Sequence, residues 1–176
     1  MISPAQAAGV ADDEGTQAPS RSAGACVCLN LRQATRAVTQ AYDDALRPTG
    51  LRSTQLGLLA VTNQAGSMPL CRLASVLVMD RTTLTRNLKP LEKQGFVQVD
   101  GGSDKRIRTV RLTAQGRAAL HAALPLWEQV QQRLIEKLGP ERLERMLEDL
   151  SVAIAATRRG GVADPCSDPG WDSDPI

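Results

Sequence analysis

Aromatic side chains are nearly missing from this chain: one Phe, one Tyr and two Trp in 176 residues. Any core must therefore be built from aliphatic residues. Histidine is scarcer still, with His121 alone. No pair of carboxylates stands at a meaningful spacing, no Gly-rich phosphate loop is visible, and no metal-ligand cluster is written into the sequence. Catalysis is accordingly not expected, no cofactor is implied, and His121 reads as a surface residue of a long helix. No apolar run approaches the ~20 residues that cross a bilayer, so no membrane partner is expected. The start, MISPAQAAGVADDEG, has neither a basic opening nor a sustained apolar stretch and does not read as a secretory signal. Four cysteines (Cys26, Cys28, Cys71, Cys166) are too few for a disulfide scaffold, which makes a reducing, cytoplasmic setting the default.

The remaining composition is that of an ordinary soluble domain, 42% hydrophobic and 23% charged, and long enough for one sizeable core. The net charge of +2 conceals a division. Residues 1–25 hold one Arg against three acids, residues 160–176 hold four Asp and no base, and the body between them stands at +8. A basic body with acidic ends suits a polyanionic partner.

Residues 1–24 and 160–176 show no period and are rich in small, polar, Pro and Gly residues, so both are expected to be disordered tails. The body, residues 25–159, reads as mostly helical. Leu31, Ala34, Val38, Ala41 and Ala45 recur at helical spacing until Pro48-Thr49-Gly50. Ser53 is positioned to cap a second helix that runs to about Asn63 before Gly66. Pro69 suits the first turn of a short third helix bearing Leu70, Leu73, Ala74 and Leu77. Asp80 caps a fourth that ends near Gly95. Val97 and Val99 alternate as a strand, Gly101-Gly102 turn, and Ile107–Leu112 return. Thr113 caps a long helix to Leu138, with Leu120, Leu124, Trp127, Val130 and Leu134 along one side. After Gly139-Pro140 comes a last helix carrying Leu143, Met146, Leu147, Leu150 and Ile154.

The segment from Asp80 to Arg111 carries most of the functional information. At ~100° per residue, Leu84, Leu88 and Leu91 share one side of the fourth helix, while Thr82, Arg86, Lys89 and Lys93 share the opposite one. Arg can bond both acceptors of a guanine edge in the major groove, whereas Lys and Thr more often meet phosphates. Backbone N–H groups near Thr82 and Thr83 offer a phosphate site at the helix start, and Asn87 joins the candidate contacts. Pro90 removes the hydrogen bond to the carbonyl of Arg86 and should reshape the last turns without ending the helix. A Gly turn follows, with Asp104, Lys105 and Arg106 at its tip and Arg108 and Arg111 on the return strand. A thin β-turn bearing Arg fits a narrow minor groove. Asp104 is expected to set the shape of this wing rather than face DNA. Residues 72–111 hold nine bases and four acids. The order of helix, helix, strand, turn and Arg-rich strand predicts a winged helix-turn-helix over residues 53–113 that contacts double-stranded DNA.

Two stretches, MDRTTLTRNLKPLEKQGFV (79–97) and SDKRIRTVRLTAQG (103–116), resemble the MarR family of bacterial winged helix-turn-helix regulators. The family's Asp-x-Arg wing signature stands here as Asp104-Lys105-Arg106, and its Leu-Thr-x-x-Gly ending as Leu112, Thr113 and Gly116. The resemblance implies a mainly α (α+β) fold in which residues 26–48 and 114–158 form dimerisation helices. It also implies a homodimeric repressor on a pseudo-palindromic operator, its recognition helices ~34 Å apart, released by a signal. Independently of the family, residues 117–158 carry more apolar surface than one small domain covers.

Three signals are open. The run from Cys28 to Tyr42 is similar to the organic-hydroperoxide-sensing branch of the family, which implies Cys28 as a peroxide-reactive thiol. A helix start is a suitable place for one. That branch holds its thiol with tyrosines of the second helix, where this chain has Ser53 and Leu56. Cys26, Cys28 and Cys71 together are alternative ligands for a soft metal or metalloid, and small buried free cysteines are also commonly inert. Relatives further imply a pocket for small aromatic acids or phenols beside the dimer helices, for which Arg32, Arg36 and Trp127 are candidates. A winged-helix protein–protein module is the remaining alternative, but its interface should be depleted in charge, and this helix face is cationic.

Overall fold

The structure is a computed structural model that describes residues 26–101 and 108–157. The tails, 1–24 and 160–176, and the wing-tip residues Asp104, Lys105 and Arg106 lie outside the described residues. Six α-helices and a three-stranded antiparallel sheet follow in the order α1 (Val27–Leu46), a 3-10 turn (Arg47–Thr49), α2 (Ser53–Ala65), β1 (Ser67–Pro69), α3 (Leu70–Val76), α4 (Arg81–Lys93), β2 (Val97–Gly101), β3 (Arg108–Leu112), α5 (Ala114–Leu138) and α6 (Pro140–Thr157). This is the winged helix-turn-helix arrangement, mainly α, that the helical and alternating patterns predict. The chain divides into a first unit ending at Thr39 and a second from Gln40 onward. Within the described residues the first unit contains the opening turns of α1, whose Val27, Leu29, Leu31 and Val38 are all exposed.

The second unit holds the core, and it is aliphatic. Leu46, Leu51, Leu58, Leu59, Leu73, Leu84, Leu88, Leu91 and Val110 are essentially inaccessible to solvent, whereas Tyr42, Phe96 and Trp127 are only partly buried at its edge. Each buried Leu contributes about 1.5–3 kcal/mol relative to exposure, so Leu84, Leu88 and Leu91 alone anchor α4 firmly. Pro90 lies inside α4 without terminating it, because the Leu stripe continues to Leu91 on the buried side.

Two element starts differ from the sequence expectation. The N-cap of α2 is Arg52, not Ser53. Ser53 is already helical, and its N–H donates to Asp43 Oδ1 at 2.7 Å, so a carboxylate from α1 satisfies the helix start. Pro69 precedes α3 as its cap and also closes β1, a strand too short to show alternation. The sheet order is β1-β3-β2, with Met68 opposite Val110 and Val99 opposite Val110 on the other side. Between α3 and α4 the chain turns through Val78, whose φ of 53° is left-handed, an uncommon choice for a β-branched residue. The corner is closed by Val78 N–H to Ser75 O (3.2 Å) and Met79 N–H to Ala74 O (2.9 Å).

One junction ties α4, the sheet and α5 together. Phe96 N–H donates to Leu91 O (2.9 Å), and Thr113 N–H donates to Phe96 O (3.0 Å). The Thr113 hydroxyl donates to Gly95 O (2.6 Å) and accepts from Gly116 N–H (3.0 Å), capping α5. Gly116 then rests directly on the backbone of Phe96, and a Cβ there would overlap the Phe96 carbonyl oxygen.

By contrast α6 buries none of its residues, and its one extensive contact is with α5. Met146, Leu147, Val152 and Ile154 are exposed.

Gly116→Ala should destabilise the protein by about 1–3 kcal/mol, since the clash is with backbone and not with a flexible side chain. Chemical denaturation of the two proteins checks this; equal midpoints would show that the junction yields freely.

Candidate nucleic-acid interface

The exposed side of α4 is formed by Thr82, Arg86, Lys89, Pro90 and Lys93, directly opposite the buried leucines. None of Arg86, Lys89 and Lys93 is ion-paired among the described residues. About three turns of helix therefore present three cations and a hydroxyl to solvent. The expected contacts Thr82, Arg86, Lys89 and Lys93 are brought onto one surface by the helix itself.

Thr83 and Asn87 are placed differently. Asp80 caps α4, accepting from Thr83 N–H (2.8 Å) and from the Thr83 hydroxyl (2.7 Å). The Thr83 N–H expected to receive a phosphate is thus already occupied by a carboxylate. Those bonds, the backbone one first, hold the Asp80 carboxyl below its ordinary range. Asn87 is half-buried and turns its amide toward Met79 Sδ (3.8 Å), away from the exposed stripe.

The stem of the wing is formed by β2, ending at Gly101, and β3, beginning at Arg108. Arg108 is half-buried at the start of β3, opposite Gly101, and has no carboxylate partner among the described residues. Arg111 is engaged across the hairpin. Its Nε donates to Asp100 Oδ2 (3.0 Å) and its Nη2 to Gln98 Oε1 (2.9 Å), while Gln98 Nε2 donates to Asp100 Oδ1 (2.8 Å). These three groups form a closed ring on the outer face of the stem. As a surface ion pair it adds little stability, but it cancels one cation. Neither Gln98 nor Asp100 stood out in the sequence; the Gln-x-Asp spacing opposite an Arg one residue from the strand end was the available signal.

Cys26 and Cys28 are free and exposed, at the lip and in the first turn of α1. The Cys26 carbonyl accepts from both Asn30 N–H (3.1 Å) and Asn30 Nδ2 (2.9 Å). Cys71 is different: it is buried on α3 and disulfide-bonded, so it is not the third free thiol that a soft-metal set needs. Among the described residues no group of three or more His, Cys, Asp or Glu side chains could hold a metal ion. His121 is exposed on α5.

Sequence patterning does not reveal the outline of a cavity of about 400 Å³ within the second unit. It is lined by Tyr42 of α1, Ser53, Leu56, Gly57 and Ala60 of α2, and Leu124 and Trp127 of α5. Trp127 stands where a ligand pocket was expected. Arg32 and Arg36 are exposed on α1 and are not part of the lining.

Comparison with known proteins agrees with this geometry. A model of the MarR family matches residues 51–107. The crystal structure of the Mycobacterium tuberculosis transcriptional regulator MosR in complex with DNA is 42% identical, covers 76% of this chain and 99% of that one, and superposes with a TM-score of 0.68. The chain belongs to the MarR family. Among curated relatives, an uncharacterised HTH-type transcriptional regulator of Bacillus subtilis, YwoH, is 34% identical over 85 residues. That match takes in 48% of this chain and 62% of YwoH, so the chain spans less than two thirds of that relative's length. An uncharacterised HTH-type regulator of Bacillus cereus is 26% identical over 131 residues, covering 74% of this chain and 88% of its own. Among the described residues no helix is long and apolar enough to cross a membrane.

Because its carboxyl is acidified in the fold, Asp80 stabilises the protein above the ordinary carboxylate range and loses that effect as pH falls through its lowered value. The stability gap between wild type and Asp80→Ala should therefore be widest near neutrality and shrink in acid. Thermal melts across that range check it, and a gap that does not change with pH would remove the charged cap from the account.

Proposed function

We propose that this MarR-family chain is a homodimeric transcriptional repressor that binds a pseudo-palindromic site on double-stranded DNA and is released by a signal. The observation that carries the DNA contact is the leucine-backed, cation-bearing side of α4, with Thr82, Arg86, Lys89 and Lys93 pointing outward beside the wing stem. Arg86, central in that row, reads a base edge, and Lys89 and Lys93 meet phosphates. Thr82 keeps its place at the helix start, while Thr83 and Asn87 act by holding the helix in shape. Arg108 and, beyond the described residues, Lys105 and Arg106 supply the wing contacts. MosR, captured with DNA at 42% identity, supports the same use of the fold.

Homodimerisation is supported by the surfaces left bare in one chain. The first turns of α1 and the whole of α6 expose Val27, Leu29, Leu31, Met146, Leu147, Val152 and Ile154. Apolar helices without a core of their own are normal at an interface between identical chains.

Thiol oxidation is the signal favoured by a specific observation, the free and exposed state of Cys28 beside Cys26. A peroxide would oxidise the Cys28 thiol to a sulfenic acid and be reduced to the alcohol or water. The soft-metal alternative loses Cys71 to its disulfide.

Arg86→Ala should weaken binding to a specific site by about 1–3 kcal/mol and relax base preference there. A gel shift on the chain's own upstream DNA measures this, with affinity falling by orders of magnitude from low to moderate salt. Unchanged affinity and selectivity would take Arg86 out of the base-reading role. Cys28→Ser should retain DNA affinity but lose release by organic hydroperoxide; normal release from the variant would exclude Cys28 as the sensor.

A further inference from the structure

Cys71 ties the DNA-binding unit to another part of the chain. It is buried on α3 and disulfide-bonded. The chain has four cysteines, and Cys26 and Cys28 carry free thiols. Cys166 is the cysteine left to join Cys71. It lies nine positions beyond Thr157, where α6 ends, and that length of chain spans up to about 30 Å.

The sequence around Cys166 is acidic. Residues 160–176 read GGVADPCSDPGWDSDPI, with four Asp and no basic residue. Asp164 and Asp168 each lie two positions from Cys166, and Asp172 and Asp174 follow. Asp164, Asp168 and Asp174 each precede a proline, which biases them toward extended backbone. A disulfide holds its two Cα atoms within about 7 Å, so a bond to Cys166 brings Asp164 and Asp168 within about 14 Å of the Cys71 backbone.

The elements beside that anchor carry the opposite charge. Arg72, next to Cys71 on α3, is exposed and has no ion pair among the described residues. Helix α3 packs on α4, whose outer side bears Arg86, Lys89 and Lys93. The thirteen residues of α4 extend about 20 Å. Asp172 and Asp174, six and eight positions past Cys166, reach up to about 20 and 27 Å from it. In extended chain these two Asp stand about 7 Å apart, against about 6 Å for Lys89 and Lys93, one turn apart on the helix.

We infer that a Cys71–Cys166 disulfide docks the acidic segment 164–174 on the cationic side of α3 and α4, where its carboxylates compete with DNA for Arg86, Lys89 and Lys93. With the bond closed, Asp172 and Asp174 are leashed six and eight positions from their anchor. Reduction leaves them fifteen and seventeen positions from Thr157. The −3/2 scaling of effective concentration with leash length makes that a drop of roughly three- to fourfold. Exposed ion pairs are too weak to hold the longer leash in place. Forming the bond removes two electrons and two protons from the Cys71 and Cys166 thiols; a hydroperoxide takes them and leaves as an alcohol and water. A dithiol reverses the step by exchange and itself ends as a disulfide. Oxidation therefore lowers DNA affinity by covering the helix with charge. The inference deepens the signal-released repressor reading and rests on it only for the effect on DNA; the docking is read without DNA.

Peptide mapping of the full-length protein without reductant should join the Cys71 peptide to the Cys166 peptide. Acetylation by an N-hydroxysuccinimide ester, followed by mass spectrometry, should be slower at Lys89 and Lys93 in the disulfide form than after reduction by a phosphine, each measured against exposed Lys137 of α5. In a gel shift at low salt, reduction should tighten DNA binding by about threefold or more, and Cys166→Ser should show the tighter binding with or without reductant. Asp168→Asn, Asp172→Asn and Asp174→Asn combined should keep the bond yet bind DNA equally in both states. None of these substitutions touches the core. A Cys71 bond to any other cysteine, labelling of Lys89 and Lys93 that ignores the redox state, or a triple Asn variant that still responds to reduction would each overturn the inference. Redox-dependent labelling without DNA binding in either form sinks the regulator alone, and DNA binding with redox-independent labelling sinks the docking alone.

Discussion

The contact between Gly116 and the Phe96 carbonyl is the constraint from which the geometry of this molecule follows. Phe96 ends the chain's passage out of α4, opens β2, and receives the first turn of α5 on its backbone. Thr113 closes the same knot from the other side, bonding to Gly95 with its hydroxyl while capping α5. Three elements with different roles are thereby referenced to a few backbone atoms: the cationic helix, the wing stem and the long helix. A shift in one is transmitted to the others through hydrogen bonds under 3.1 Å and a backbone contact that leaves no slack.

The electrostatic pattern around α4 is more selective than its count of basic residues suggests. Among the described residues Arg86, Lys89 and Lys93 remain without an ion-pair partner on one side, but Asp80 seals the helix start and Asp100 with Gln98 ties up Arg111. Among the described residues, positive charge runs along the flank of the helix, and Arg108 adds to it at the base of the wing. A polyanion drawn to this region meets its strongest attraction along the helix axis, which sets how the helix can lie against it.

Most of the fold was legible because its signals are periodic or local. The Leu84-Leu88-Leu91 stripe, the Asp80 and Thr113 caps, and the alternation of Val97 and Val99 each depend on a few neighbouring residues. The features that escaped are those in which distant residues meet. Ser53 looked like a cap, but the carboxylate it needs comes from Asp43, ten residues earlier on another helix. Thr83 and Asn87 sit on the correct helix, yet their polar groups are claimed by Asp80 and Met79. Arg111 pairs across the hairpin. The cavity is assembled from three helices, and its one local trace was a glycine in the middle of α2. Of the candidates for the pocket that relatives imply, Trp127 lines this cavity and Arg32 and Arg36 do not.

The corner at Val78 has a mechanical consequence. A β-branched residue in the left-handed basin stores on the order of 1–3 kcal/mol of conformational strain, held in place by the hydrogen bonds of Val78 and Met79 to α3. That cost is borne by the two hydrogen bonds and by the packing of the leucines on either side, so the angle at which α4 leaves α3 is set by long-range burial and not by the local preference of the residue at the corner.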